Sequence, residues 1–327
     1  MNISNKMIHP EIRTIGKIIR FIIPYFKTST FKLSRHIIGV LKKKSCKDMC
    51  YEQIYIPRKE RRVTEDLLRI CVYSPFERKK KATGILWIHG GGYGLGVPEQ
   101  DEAFIRRFVL TYNCVVVSPD YCLSTIAPYP AALEDCYTAL MWLKENAALY
   151  DICPNQLMVG GDSAGGGLTA ALTIYARDKR EVAIAFQMPL YPMLDDRMIT
   201  KSSQNNDAPV WNTKSNENAW KLYLGSLYGT EDISPYAAPA RLTDFSNLPP
   251  AVTYVGDLEP FYDETVNYME QLKAAGVSAK YKVFTGCYHA FDIMAGKSTP
   301  AKEAVEFLMK NFEYAQNHYF KEQPFIV

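Results

Sequence analysis

Val159-Gly160-Gly161-Asp162-Ser163-Ala164-Gly165-Gly166-Gly167 is the stretch on which the reading of this chain turns. An apolar run, Leu157 to Val159, leads into it, and a helical pattern leaves it near Gly165. Between them lies a Gly-x-Ser-x-Gly pattern, Gly161 to Gly165, with Ser163 at the tip of the turn. A strand that ends in such a turn and gives way to a helix exposes the hydroxyl at the sheet edge. The helix N-terminus behind it favours developing negative charge. Glycines on either side let neighbouring backbone pass close by. With Gly and Ser each near ~7% of residues, the pattern arises by chance in roughly one chain of this length in ten. Its partners elsewhere in the chain must therefore carry the reading.

Upstream, strand-like runs cover Glu52 to Ile56, Leu67 to Tyr73, Thr83 to His89 and Cys114 to Ser118, with a helix around Glu102 to Thr111 between the last two. Helices and strands then alternate: helix Ala131 to Asn146, strand Leu157 to Gly160, helix Gly165 to Asp178, strand Ala183 to Tyr191. After an irregular stretch come strand Ala251 to Val255, helix Asp263 to Ala275, strand Ala279 to Phe284 and a final helix from Pro300 to Tyr319. Nearly continuous apolar strands separated by helices predict an α/β fold with a mostly parallel sheet covered on both faces. The front hairpin is expected at its antiparallel edge. Residues 194–245 are polar and aromatic and interrupt the alternation, which predicts an insertion over the C-terminal edge of the sheet.

Trp87-Ile88-His89-Gly90-Gly91-Gly92-Tyr93 ends a strand in three glycines. Such a run costs backbone entropy, and backbone amides that must approach a ligand atom are one reason to accept it. A serine hydroxyl needs a base to become a nucleophile. His9 and His318 lie near the termini, His36 lies in a basic segment, and His89 is better placed to anchor the glycine loop. His289, just beyond a strand end in Gly286-Cys287-Tyr288-His289-Ala290-Phe291, remains as the base. The base in turn needs a carboxylate to set its tautomer. Gly256-Asp257-Leu258-Glu259-Pro260-Phe261-Tyr262-Asp263-Glu264 supplies four acids. Asp263 and Glu264 suit the first turn of a helix, which leaves Asp257 and Glu259.

The order serine, acid, histidine matches the α/β-hydrolases, and the chain resembles the hormone-sensitive lipase family within them over roughly residues 50–315. Four motifs carry the likeness: His89-Gly90-Gly91-Gly92, Gly161-Asp162-Ser163-Ala164-Gly165-Gly166, Glu259-Pro260-Phe261-Tyr262-Asp263-Glu264 and Gly286-Cys287-Tyr288-His289-Ala290-Phe291. In the family the acid directly precedes the proline, so the resemblance implies Glu259, a glutamate where aspartate is usual. It also implies an oxyanion hole from the amides of Gly91, Gly92 and Ala164. A helical cap is implied too, made of residues 1–50 and 194–245 around a core of 51–193 and 246–327. Tyr93, Trp211 and Trp220 are expected to line a pocket for a small-molecule ester. Carboxylesterase activity without metal or organic cofactor follows. Transfer of the acyl group to an alcohol or sugar, or ligand binding without catalysis, are the alternatives. One departure stands out: after Asp120-Tyr121 the family has Arg-Leu-Ala-Pro-Glu, and this chain has Cys122-Leu123-Ser124-Thr125-Ile126. Loss of both charged residues avoids a lone buried charge.

Net charge is +3 over 327 residues, but its distribution is lopsided. Residues 1–50 hold 11 Lys or Arg against Glu11 and Asp48, so the remaining 277 residues carry 27 against 33. An acidic body argues against nucleic-acid binding. Cys46 and Cys50 have no second cysteine or histidine pair at zinc spacing, so no metal site is expected. Ile8, Ile12, Ile15, Ile19, Ile22 and Phe26 recur at helical spacing, with Arg13, Lys17 and Arg20 between them. This helix is expected to pack its isoleucines on the body; contact of residues 8–26 with an anionic membrane surface is the alternative. Lys42-Lys43-Lys44 is expected at a solvated helix end or loop. No apolar run reaches membrane-spanning length, and a cytoplasmic location is expected. Self-association is compatible with all of this.

Overall fold

The computed structural model describes residues 2–31, 42, 46–58 and 66–324. His36, Lys43 and Lys44 lie outside them. Eight strands form one sheet: β1 (Cys50–Pro57), β2 (Leu67–Ser74), β3 (Ala82–Ile88), β4 (Val115–Pro119), β5 (Ile152–Asp162), β6 (Phe186–Leu190), β7 (Ala251–Gly256) and β8 (Ala279–Phe284). Their order is β1-β2-β4-β3-β5-β6-β7-β8. Only β2 runs against its neighbours β1 and β4; every other pairing is parallel. The antiparallel edge expected from the front hairpin thus comes down to one reversed strand.

Alternation along β3 shows how the sheet makes two cores. Ile85 and Trp87 face one side, where they meet α2 (Glu102–Tyr112) and α7 (Thr299–His318) through Phe104, Phe108, Leu308 and Phe312. Leu86 and Ile88 face the other, against α3 (Ala131–Glu145) and α4 (Ala164–Lys179). On that second side α6 (Tyr262–Ala274) adds Tyr268, Met269 and Leu272 beside Ile174 of α4. Every residue of β3 is buried, each large side chain contributing about 1.5–3 kcal/mol. The fold is that of an α/β-hydrolase.

Three boundaries depart from the sequence reading for local reasons. The first helix, α1, spans Pro10–Ile22 and stops short of Phe26, because Pro24 has no amide to donate and turns Ile23 to extended backbone. Strand β6 begins at Phe186 and not at Ala183, whose amide is taken by the side chain of Gln323. Strand β5 begins five residues early, at Ile152, where it pairs with Ala82 across a register shift.

The N-terminal segment and the insertion are hydrogen-bonded to each other. Asn212 Nδ2 donates to Pro24 O (2.7 Å), Phe26 N to Ser215 Oγ (3.0 Å) and Asn218 Nδ2 to Phe26 O (2.9 Å). The insertion's helix, α5 (Thr213–Leu224), starts at an Asn212 side chain that accepts from Ser215 N, a regular N-cap. The α1 helix sits by Ile8, Ile12 and Gly16 on the loop after β8: Tyr288 Oη donates to Ile12 O (3.1 Å) and His9 N to Gly286 O (2.8 Å). Asp48, by contrast, pairs with Arg106 of α2.

Candidate active site

Four loops meet at the C-terminal edge of the sheet, after β3, β5, β7 and β8. The loop after β5 is a single residue. Ser163 has φ +56° and ψ −118°, a conformation costing about 1–3 kcal/mol for a non-glycine residue. Its amide donates to Leu190 O (2.9 Å), and its carbonyl accepts from Gly167 N (2.9 Å) and Met193 N (3.1 Å), so the backbone around it fixes the strain. The helix behind can come this close because Gly165 has no side chain: a Cβ there would lie 2.0 Å from Ile88 O.

Ser163 Oγ lies 2.8 Å from His289 Nε2, and His289 Nδ1 is hydrogen-bonded to Glu259 Oε2. Glu259 is fully buried and its other oxygen accepts from Gly256 N (3.0 Å). Asp257 points elsewhere. Half-buried, it accepts from Gly286 N (2.7 Å), and burial pushes its carboxyl above the usual range. Backbone bonds from Asp257 N to Phe284 O (3.2 Å) and from Leu258 N to Cys287 O (3.1 Å) complete the seam. Asp257 therefore ties the acid-bearing loop to the histidine-bearing one, and Glu259 faces the imidazole. The edges of Tyr191 and Phe261, each with its ring centroid 5.0 Å from that of His289, hold the imidazole between them.

The glycine loop after β3 is pinned from both ends. His89 Nδ1 donates to Gly90 O (2.8 Å) while its ring stacks on Tyr121, and burial pushes its pKa down to about 4, so it is neutral at pH 7. Gly90 N donates to Asp162 Oδ1 (2.9 Å). Among the described residues the amides of Gly91 and Gly92 donate to no protein acceptor. The Ala164 amide is the first of α4, where no intrahelical acceptor exists. At Gly92, φ is +57° and a Cβ would fall 2.4 Å from the Trp211 ring. Only glycine fits there.

The three aromatic residues expected at a pocket occupy two environments. Trp211 lies beside the site, its ring 6.2 Å from that of His289 and in contact with Phe26 and Phe31 of the N-terminal segment. Tyr93 stacks on Tyr223 (3.8 Å) against Trp220, and its hydroxyl donates to Met193 O. That cluster joins α5 to the core.

Further carboxylates adjoin the site. The carboxyls of Asp162 and Asp101 hydrogen-bond each other, and Asp101 Oδ2 also accepts from Trp87 Nε1 (3.0 Å). Two buried carboxyls in contact hold a proton between them; burial and the neighbouring charge push Asp101 well above its ordinary range. Asp162 was visible as the residue before the elbow serine, but its partner Asp101 sits 61 positions away with no spacing rule to find it. At the departure after Asp120, Asp135 is buried and paired with Arg58 from the end of β1 (2.8 Å), while its other oxygen accepts from Cys122 N. A guanidinium from just past β1 thus neutralises this buried carboxylate.

Residues 85–293 match a family model described as alpha/beta hydrolase fold. The esterase LipI of Mycobacterium tuberculosis is 32% identical over 225 residues, covering 68% of this chain and 70% of that protein. The carboxylesterase NlhH of the same organism is 33% identical over 217 residues, covering 64% and 67%. A solved structure titled bacterial heroin esterase superposes with a TM-score of 0.86 at 28% identity, over 96% of this chain and 99% of that one. The chain belongs to the α/β-hydrolases, in the branch of hormone-sensitive lipase-like carboxylesterases. It is an enzyme of the carboxylic ester hydrolase class.

Proposed function

We propose that the protein is a serine carboxylesterase that hydrolyses small acyl esters through an acyl-enzyme on Ser163. One observation carries the reading: the unbroken line of hydrogen bonds from Ser163 Oγ through His289 to Glu259. Ser163 Oγ attacks the ester carbonyl carbon as His289 Nε2 takes its proton, and Glu259 stabilises the imidazolium. The amides of Gly91, Gly92 and Ala164 receive the oxyanion; one such donor is worth about 3 kcal/mol. The C–O bond then breaks and His289 returns the proton to the leaving alcohol. Water, deprotonated by His289, releases the carboxylic acid by the same route and restores the serine. No step calls on a metal or organic cofactor.

The N-terminal segment and residues 194–245 act together as the cap, tied by the bonds from Asn212 and Asn218 to the Pro24–Phe26 turn. Near-closure of the site favours short acyl groups: Ser163 is only 6% exposed, and Trp211, beside His289, packs against Phe26 and Phe31 of the N-terminal segment. Hydrolysis of chromogenic esters over a series of acyl chain lengths tests the proposal. Rates should peak at acetyl to butyryl and vanish in Ser163→Ala. No hydrolysis by the wild-type protein refutes the activity, and a maximum at long chains refutes the size limit.

A further inference from the structure

Among the described residues the end of α1 has no packing partner. Ile8, Ile12 and Gly16 are buried on the body, but the opposite face and last turn present Ile18 (53% exposed), Phe21 (88%), Ile22 (67%) and Ile23 (37%) to solvent. Positions 18, 21 and 22 are neighbours on a helix, so they form one apolar ridge. Cations flank it along the sequence. Lys17 and Lys27 are exposed, and the amines of Lys27 and Lys214 lie 5.2 and 5.4 Å from the centre of the Tyr25 ring, one from each part of the cap. Arg20, on the same helix, is turned inward to Ile3 O and lies near Asp207. Residues 1–50 carry 11 basic side chains against Glu11 and Asp48. Of those two, Glu11 accepts from Thr299 N and Asp48 is paired with Arg106, so neither neutralises the ridge.

An apolar ridge flanked by lysines and an amphipathic tyrosine matches the headgroup boundary of an anionic bilayer: lysines meet phosphates while Phe21 and the isoleucines enter the acyl region. A soluble acidic partner would satisfy the lysines and leave the ridge in water. We propose that this face of the cap docks the protein peripherally on anionic phospholipid bilayers, with Phe21 as the principal inserted side chain. No helix among the described residues is long and apolar enough to cross a membrane, and surface docking requires none. The helix is rooted on the loop that carries His289, so docking holds the cap over the site against the lipid surface.

Sedimentation of the purified full chain with phosphatidylglycerol–phosphatidylcholine vesicles, and with phosphatidylcholine alone, tests the proposal without turnover, so its failure is distinct from failure of the esterase reading. Binding should require the anionic lipid and weaken with salt. It should fall at least about tenfold in Phe21→Asp and about fivefold for each of Lys17→Gln and Lys27→Gln. Ester hydrolysis in solution should be unchanged in all three, which checks their folding. Absence of vesicle binding, or binding independent of lipid charge and of Phe21, overturns the proposal. So does a stable dimer in light scattering that Phe21→Asp dissociates, because the ridge would then belong to a second copy of the chain.

Discussion

Replacing Glu259 by Gln changes one atom and should cost about four orders of magnitude in kcat. In the wild-type arrangement Nδ1–H of His289 donates to Glu259 Oε2, which leaves Nε2 unprotonated and facing Ser163 Oγ at 2.8 Å. Glutamine can keep the bond to Gly256 N through its carbonyl oxygen, as Glu259 Oε1 does now. Its NH2 group then faces Nδ1 and selects the tautomer with a proton on Nε2, which cannot accept from serine. The imidazolium formed during attack also loses its counter-charge: two unit charges about 4 Å apart at an effective dielectric constant of about 20 interact by ~4 kcal/mol, or about 10³ in rate. Tautomer and charge together give about 10⁴, in keeping with the loss of a triad carboxylate's charge. Asp257→Asn should behave differently. Its side-chain oxygen can still accept from Gly286 N, so kcat should change by less than about threefold. Steady-state hydrolysis of a chromogenic acetyl ester, with circular dichroism to verify folding, separates the two. A loss in Asp257→Asn that equals or exceeds that in Glu259→Gln would refute the assignment of the acid.

Gly92→Ala should lower kcat by at least about tenfold, since a Cβ lies 2.4 Å from Trp211 and the backbone is left-handed; adding Trp211→Ala should recover part of the loss by removing the clash, measured as a double-mutant cycle. Asp101→Asn should leave the melting temperature within a few degrees of wild type, because a neutral amide mimics the protonated carboxyl between Asp162 and Trp87. Asp101→Ala, which strands both partners, should lower it clearly more, read by thermal denaturation at pH 7. The folded-state pKa of His89, about 4, lies below its unfolded value of about 6.5, so the unfolded chain binds the extra proton between them. Its contribution to stability is complete above pH 6.5 and is lost as pH falls towards 4, by about 3 kcal/mol. Urea unfolding across that range should show a shallower pH slope in His89→Gln than in the wild type.

The layered α/β architecture was legible because strands such as Gly84 to Ile88 are apolar on both faces while the helices between them carry one apolar stripe, and periodicity reports that difference directly. Ser163, His289 and the glycine loop were legible for a related reason: each lies just past a strand end, and strand ends of a parallel sheet gather at one edge. Residue order alone left Asp257 and Glu259 level. Their separation depends on the course of the backbone after Gly256, where one side chain turns to the neighbouring loop and the other folds back beneath the imidazole. The pairing of Arg58 with Asp135, the proton held between Asp101 and Asp162, and the exposed ridge of α1 likewise join residues through space. Local sequence determined where strands end and which side chains could react. Tertiary structure decided which carboxylate meets the histidine and which face of α1 stays uncovered, because both depend on groups brought together only when the sheet and its cap close.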